Sequence, residues 1–107
     1  MTTTDQRIAE LIKNKIKEQD PSAEVILFGS RARGNAQTDS DWDILILIQK
    51  GTVSRSTERL FRHHLLDLEL EISQPITVFV RSKNDWETKH SVTPLYHSIK
   101  KEGKYLT

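Results

Sequence analysis

The stretch "VILFGSRARGNAQTDSDWDILILI", Val25 to Ile48, decides the fold of this chain. Its two apolar runs, "EVILF" with the preceding glutamate and "DILILI", are rich in β-branched residues and predict two buried strands. Between them lies a polar loop that begins at Gly29 and ends at Ser40. A loop of this length holds at most a short helix, so the sequence leaves open whether the two strands run parallel or antiparallel.

The rest of the chain predicts three helices and a third strand. Apolar residues recur at helical spacing in residues 5–18, 54–72 and 93–103. The run "PITVFV" predicts the third strand, with Pro75 at its start, and the polar segment "SKNDWETKH" predicts a loop or a short helical turn. Alternation of strands and helices is typical of an α/β fold, here a small mixed sheet of three or more strands covered by helices.

Length and composition limit the functions that this chain can have. Its 107 residues predict one domain over residues 1–107. With 16 Lys and Arg against 15 Asp and Glu, the net charge is +1, so we expect no direct binding to nucleic acid. The sequence has no cysteine and no apolar signal core, and its longest apolar run, residues 44–48, is too short to cross a bilayer. These features predict a cytoplasmic protein that does not enter a membrane.

The first half of the loop has the residues of a phosphate site. Gly29 has no side chain, so the backbone there can approach a ligand closely. Ser30 adds a hydroxyl group, and a short helix beginning near Arg31 would direct its first N–H groups at an anion. Arg31 and Arg33 can donate charge-assisted hydrogen bonds to the same group.

The second half of the loop has the residues of a metal site. Asp41 and Asp43 are two positions apart at the start of a strand, so their side chains leave the same face, and that of Trp42 leaves the other. The sequence leaves open whether Trp42 is a core residue or a platform for a purine. Adjacent carboxylates repel unless a cation lies between them, and Mg²⁺ commonly binds one or two carboxylates together with substrate phosphates. A phosphate site facing a metal site indicates phosphoryl or nucleotidyl transfer.

The stretch "GSRARGNAQTDSDWD" resembles the signature of the DNA polymerase β-like nucleotidyltransferase superfamily. At this length the chain is similar to the minimal nucleotidyltransferases of that superfamily. The resemblance implies the polymerase β-like fold, Mg²⁺ or Mn²⁺ as cofactor and ATP as substrate. It implies that Asp41 and Asp43 are the catalytic and metal-binding residues. The residues that it implies for nucleotide binding are Gly29, Ser30, Arg31, Arg33 and Ser40.

The same resemblance implies a reaction and a partner. A minimal nucleotidyltransferase moves a nucleoside monophosphate, here AMP, from the triphosphate onto a hydroxyl group. Minimal nucleotidyltransferases are frequently paired with a second protein, a toxin with a HEPN domain. In these toxin–antitoxin pairs the toxin is the acceptor and the nucleotidyltransferase is the antitoxin. We therefore expect a hetero-oligomer with a HEPN-domain protein.

One position departs from the superfamily pattern. A third carboxylate is expected on the strand "PITVFV", where this chain has Thr77, which cannot act as a base near neutral pH. Asp67, Glu69 or Glu71 would supply the third acid if the end of the long helix were instead an extended strand. Otherwise the partner supplies it, or the chain is a catalytically weak or inactive module that neutralises its partner by binding.

Overall fold

The computed structural model describes residues 2–37 and 40–106. The helices and strands in this part of the chain follow one another in the order α1 (Thr3–Gln19), β1 (Glu24–Phe28), α2 (Ser30–Arg33), β2 (Trp42–Ile48), α3 (Arg55–Ile72), β3 (Ile76–Ser82), α4 (Lys83–Glu87), α5 (Pro94–Glu102) and β4 (Lys104–Tyr105). None of the helices in these residues combines the length and the apolar content that a membrane crossing needs.

The strands form one mixed sheet in the order β3-β2-β1-β4. β1 pairs antiparallel with β2 and with β4, whereas β2 and β3 are parallel. The loop after β1 is too short for the crossover that parallel neighbours need, and α3 provides such a crossover between β2 and β3. The prediction of an α/β fold with a small mixed sheet is therefore confirmed, and the direction that the sequence left open is antiparallel.

The two faces of the sheet are covered by different helices. α1 and α3 cover one face, where Ile12 and Leu65 pack with alternate residues of the strands such as Ile44 and Val25. α4 and α5 cover part of the other face, where Trp86 and Ile99 pack on residues of the opposite parity. Because side chains alternate along a strand, the face on which any residue of β2 lies follows from its parity.

Local signals in the sequence account for the starts of two of the predicted helices. The Ser54 hydroxyl accepts a hydrogen bond from the N–H of Thr57 (3.3 Å) at the start of α3. The Thr93 hydroxyl accepts one from the N–H of Tyr96 (3.2 Å) at the start of α5, where Pro94 is the first helical residue. The segment predicted as a loop or a helical turn contains α4, and β4 is a strand that the sequence did not predict.

Candidate active site

Gly29 joins the end of β1 to the start of α2 in a conformation that only glycine adopts readily. Its φ is 76° and its ψ is −159°. Its carbonyl oxygen accepts hydrogen bonds from the N–H groups of Ala32 and Arg33, both at 3.1 Å, which closes the short helix. A Cβ atom on Gly29 would overlap the Asp43 Oδ2 atom. The glycine therefore lets the backbone of the loop lie directly against a carboxylate of the neighbouring strand.

Asp41 and Asp43 lie at the end of the sheet that Gly29 also occupies. Asp43 is the second residue of β2 and is opposite Phe28 of β1, while Asp41 immediately precedes β2. Trp42, between the two acids, packs on the α1 and α3 side of the sheet. By alternation, both carboxylates leave the other face, as the sequence predicted. The antiparallel pairing of β1 and β2 thus brings Gly29, at the start of the predicted phosphate-binding loop, next to the acid pair.

The two carboxylates interact electrostatically. Burial raises the pKa of Asp43, the negative charge of Asp41 raises it further, and the positive charge of Arg33 lowers it. Oxygen ligands on two adjacent carboxylates suit Mg²⁺ or Mn²⁺, and a divalent cation would remove the repulsion that raises this pKa. No group of three or more histidine and acidic side chains placed to hold a metal occurs in residues 2–37 and 40–106. Among the described residues, the site therefore has two carboxylates, those of Asp41 and Asp43, that could bind a cation.

Thr77 lies on β3 beside the acid pair, where the sequence placed the expected third carboxylate. In the parallel register of β2 and β3 it is opposite Asp43, and its hydroxyl group donates a hydrogen bond to Asp41 Oδ2 at 3.1 Å. A threonine hydroxyl therefore occupies this position and contacts the acid pair directly.

The other candidates for a third acid do not join the pair. Asp67, Glu69 and Glu71 lie in α3, which stays helical to Ile72. α3 packs on the sheet face opposite to the one that the two aspartates leave. The Glu69 carboxylate accepts a hydrogen bond from the N–H of Ile76 (2.9 Å) and so supports the start of β3. The extended conformation that would have brought these acids to the site is absent from this segment.

Arg31, predicted to bind a nucleotide phosphate, lies inside the protein in this structure. The residue is 5% exposed, and its guanidinium donates to the Ser40 carbonyl from Nη2 (2.8 Å) and from Nε (3.2 Å). The same group lies 4.5 Å from the ring centroid of Trp42 and 3.5 Å from the Asp5 carboxylate. Arg31 therefore ties the end of the loop to the core immediately before the first acid.

Arg33, in contrast, is exposed and lies near enough to Asp43 to lower its pKa. Its guanidinium lies 3.4 Å from the carboxylate of Glu102 at the end of α5. It is thus the arginine of the loop with a charge available at the mouth of the site. The contact with Glu102 could not be predicted from the sequence, since the two residues are 69 positions apart.

The two serines of the predicted nucleotide site occupy different surroundings. Ser30 is the first residue of α2, next to Gly29, and is partly exposed. The Ser40 hydroxyl accepts a hydrogen bond from the N–H of Gln37 at 2.8 Å, and its carbonyl is the acceptor for Arg31. Ser30 therefore lies next to the glycine that contacts Asp43, whereas Ser40 is held by Gln37 and Arg31.

Trp42 is a core residue, which answers the question that the sequence left open. It is fully buried, and its Nε1 donates a hydrogen bond to Oε1 of Gln74 at 2.6 Å. A ring enclosed between Arg31 and the α1 and α3 layer cannot stack on a base. The partner Gln74 was not predicted, because nothing local in the sequence connects it with a residue 32 positions away.

The sequence of the chain matches a known family of domains. A sequence model of a family described as "Nucleotidyltransferase domain" matches residues 9–106, which is most of the chain. No sequence among the curated proteins matches at a significant level.

Three solved structures with the same fold come from toxin–antitoxin pairs. A toxin–antitoxin structure with AMP-PNP superposes with a TM-score of 0.66 at 20% identity, over 94% of this chain and 72% of that chain. The toxin–antitoxin MntA-HpeT carrying two Asp-to-Glu substitutions gives a TM-score of 0.65 at 16% identity, over 92% and 71%. A Tyr-to-Ala variant of the same pair gives 0.64 at 19% identity, over 91% and 69%. At these identities the likeness establishes a shared fold.

Proposed function

This chain belongs to the nucleotidyltransferase domain family, and we propose that it transfers AMP from ATP onto a hydroxyl group of a partner protein. The observation that carries this proposal is the contact between Gly29 and Asp43, with Asp41 beside them. A loop whose backbone lies against a pair of carboxylates places a phosphate group next to a cation. Nucleotidyl transfer needs this arrangement above all, since positioning and charge stabilisation supply most of its catalysis.

Each residue of the site has a part in the proposed reaction. Asp41 and Asp43 hold Mg²⁺ or Mn²⁺, the backbone at Gly29 and Ser30 binds the triphosphate, and Arg33 adds positive charge at its outer end. The cation, when bound, would neutralise the negative charge of the phosphate groups. The acceptor oxygen forms a bond to the α-phosphorus, the bond from that phosphorus to the bridging oxygen of the β-phosphate breaks, pyrophosphate leaves, and the hydroxyl proton is released.

Arg31 and Ser40 are not part of this phosphate-binding set. The guanidinium of Arg31 is occupied by loop carbonyl oxygens and the Trp42 ring, so it acts on the site through the loop. By holding the Ser40 carbonyl, it determines where the chain enters β2. We assign both residues to the positioning of Asp41.

The proposed acceptor is a toxin with a HEPN domain, bound in a hetero-oligomer for which this chain is the antitoxin. Structures of toxin–antitoxin pairs share this fold, and one of them contains the ATP analogue AMP-PNP, which supports a toxin as the partner and ATP as the nucleotide. The HEPN domain of the toxin is proposed from the family resemblance of the sequence. The near-neutral charge of the chain favours a protein acceptor over nucleic acid. We place the reaction in the cytoplasm.

Labelling with ATP that carries a radioactive α-phosphate tests the proposal. The protein is incubated with a host-cell lysate and Mg²⁺, and the wild type is compared with Asp41→Asn. Asp20→Asn is the matched control. Asp20 lies before the start of β1, at the end of the strand away from Asp41, and an amide oxygen can still accept its hydrogen bonds from Ser22. A protein band labelled by the wild type and by Asp20→Asn, but not by Asp41→Asn, supports transfer. Equal labelling by all three would exclude the assignment.

A second candidate function is neutralisation of the partner by binding alone. The observation in its favour is Thr77, since a hydroxyl cannot replace a carboxylate as a base near neutral pH. Co-expression with the toxin separates the two functions. If Asp41→Asn protects cells as well as the wild type does, contact is sufficient; if it fails while still binding the toxin, transfer is required.

A further inference from the structure

Thr77 makes the one hydrogen bond recorded for the Asp41 carboxylate among the described residues. Its Oγ1 donates to Asp41 Oδ2 at 3.1 Å across the parallel pair β2 and β3. Asp43, opposite Thr77 in the register, lies within β2 and is confined by the backbone at Gly29. Asp41 lies one residue before β2 and is exposed, so the strand ladder does not hold it in the same way.

We propose that Thr77 is a positioning residue that holds the Asp41 carboxylate in the orientation needed to bind the divalent cation. This inference rests on the proposed function of the same site. A hydrogen bond to one carboxylate oxygen limits rotation of the group and leaves the second oxygen for the cation. Partners that orient a metal ligand in this way commonly change metal affinity by about 10–100-fold when they are removed.

A hydroxyl at this position also avoids a third negative charge beside the pair. Thr77 is opposite Asp43 and contacts Asp41, so a carboxylate in its place would be a third like charge beside the pair and would add repulsion. Thr77 instead donates a hydrogen bond to a carboxylate oxygen of Asp41 and adds no charge. The threonine thus supports a site built on two carboxylates.

Substitutions at Thr77 distinguish the effect of the hydroxyl group from the effect of the side chain's shape. Thr77→Val keeps the branched shape and removes the donor, whereas Thr77→Ser keeps the donor. Thr52→Val is the matched control, because Thr52 is exposed and follows the other end of β2. Binding of Mn²⁺ to the nucleotide-free protein is measured by electron paramagnetic resonance, and thermal unfolding shows whether each variant is folded.

We expect Thr77→Val to weaken Mn²⁺ binding about tenfold, the lower end of the usual range, since the hydrogen bond is exposed to solvent. Thr77→Ser and Thr52→Val should bind Mn²⁺ as the wild type does. In the labelling assay, Thr77→Val should raise the Mg²⁺ concentration needed for half-maximal rate more than it lowers the rate at saturating Mg²⁺. A purely structural role would leave no such difference between Val and Ser.

The outcomes distinguish this inference from the function on which it rests. If Asp41→Asn abolishes Mn²⁺ binding and Thr77→Val binds as tightly as the wild type, the positioning role is refuted and the proposed function stands. Equal loss in Thr77→Val and Thr77→Ser also refutes it, since the hydroxyl is then irrelevant. If the wild type binds no Mn²⁺ and labels no acceptor, the proposed function fails together with the inference.

Discussion

Replacing Gly29 with alanine tests the contact on which the site depends. Its φ of 76° and ψ of −159° lie in a region nearly restricted to glycine, and forcing another residue into such a region costs roughly 1–3 kcal/mol. The new methyl carbon would also lie 3.0 Å from Asp43 Cγ and 3.2 Å from its Cβ, in addition to the overlap with Oδ2. Because β2 is held between two strands, the carboxylate must turn away from the loop. A loss of 2 kcal/mol would lower Tm by roughly 8–16 °C in a domain of this size.

Gly34→Ala is the matched control for this substitution. Gly34 also has a positive φ, 82°, but a Cβ atom there would meet nothing within 4 Å. Its left-handed conformation costs an alanine roughly 1–2 kcal/mol and leaves Asp43 in place. Thermal unfolding by circular dichroism gives the stability of each variant. Transfer from labelled ATP is then measured at a temperature at which both are folded.

We expect the two variants to differ in activity much more than in stability. A displacement of a catalytic group by about 1 Å can lower a rate about 100-fold, so Gly29→Ala should lose at least that much. Gly34→Ala should retain the wild-type rate. If folded Gly29→Ala transfers nucleotide as fast as Gly34→Ala, the close approach of the loop to Asp43 is not needed for the reaction, and our reasoning about the site is refuted.

Three further substitutions test other parts of the structure. Burial and the neighbouring charge raise the pKa of Asp43. The folded protein is therefore most stable with this group protonated, and it loses that stability as the pH rises through the raised pKa. At neutral pH, metal-free Asp43→Asn should need a higher urea concentration to unfold than the wild type, and the difference should vanish below the ordinary pKa of 3.8. Arg31→Lys cannot reproduce both bonds to the Ser40 carbonyl and should lower the free energy of unfolding by about 1–3 kcal/mol; an unchanged urea midpoint would contradict this. Glu69→Ala should destabilise the start of β3 by about 1 kcal/mol through loss of the Ile76 contact and leave transfer intact, whereas lost transfer at unchanged stability would make Glu69 the missing acid.

The sequence predicted the parts of the site that follow from strand geometry. Alternation along β2 is enough to place Asp41 and Asp43 on one face with Trp42 on the other, because the period of a strand is two residues. The glycine at the end of the first strand marked a close backbone approach, and the structure supplies the carboxylate that it approaches. Thr77 was located by its position within the third strand, which the parallel register places opposite Asp43.

Features that depend on distant pairs could not be predicted in the same way. Arg31 and Arg33 are equivalent in the sequence, each a basic residue of one short loop. The structure buries the first over Trp42 and pairs the second with Glu102. The strand β4 likewise has only two residues and exists through pairing with β1, so its own sequence carries no signal.

The physical state of the acid pair bears on the choice between an enzyme and a binding module. Two neighbouring carboxylates, one of them partly desolvated against Gly29, destabilise a fold that has no cation between them. A module that acts through contact alone gains nothing from this repulsion, and an amide in place of either acid would relieve it. Neutralising Asp43 should therefore be favourable for the isolated fold and harmful for its reaction. If Asp43→Asn both stabilises the metal-free protein and abolishes labelling, the cost is one that only catalysis explains; if it stabilises the protein and leaves protection from the toxin unchanged, the binding module is the better account.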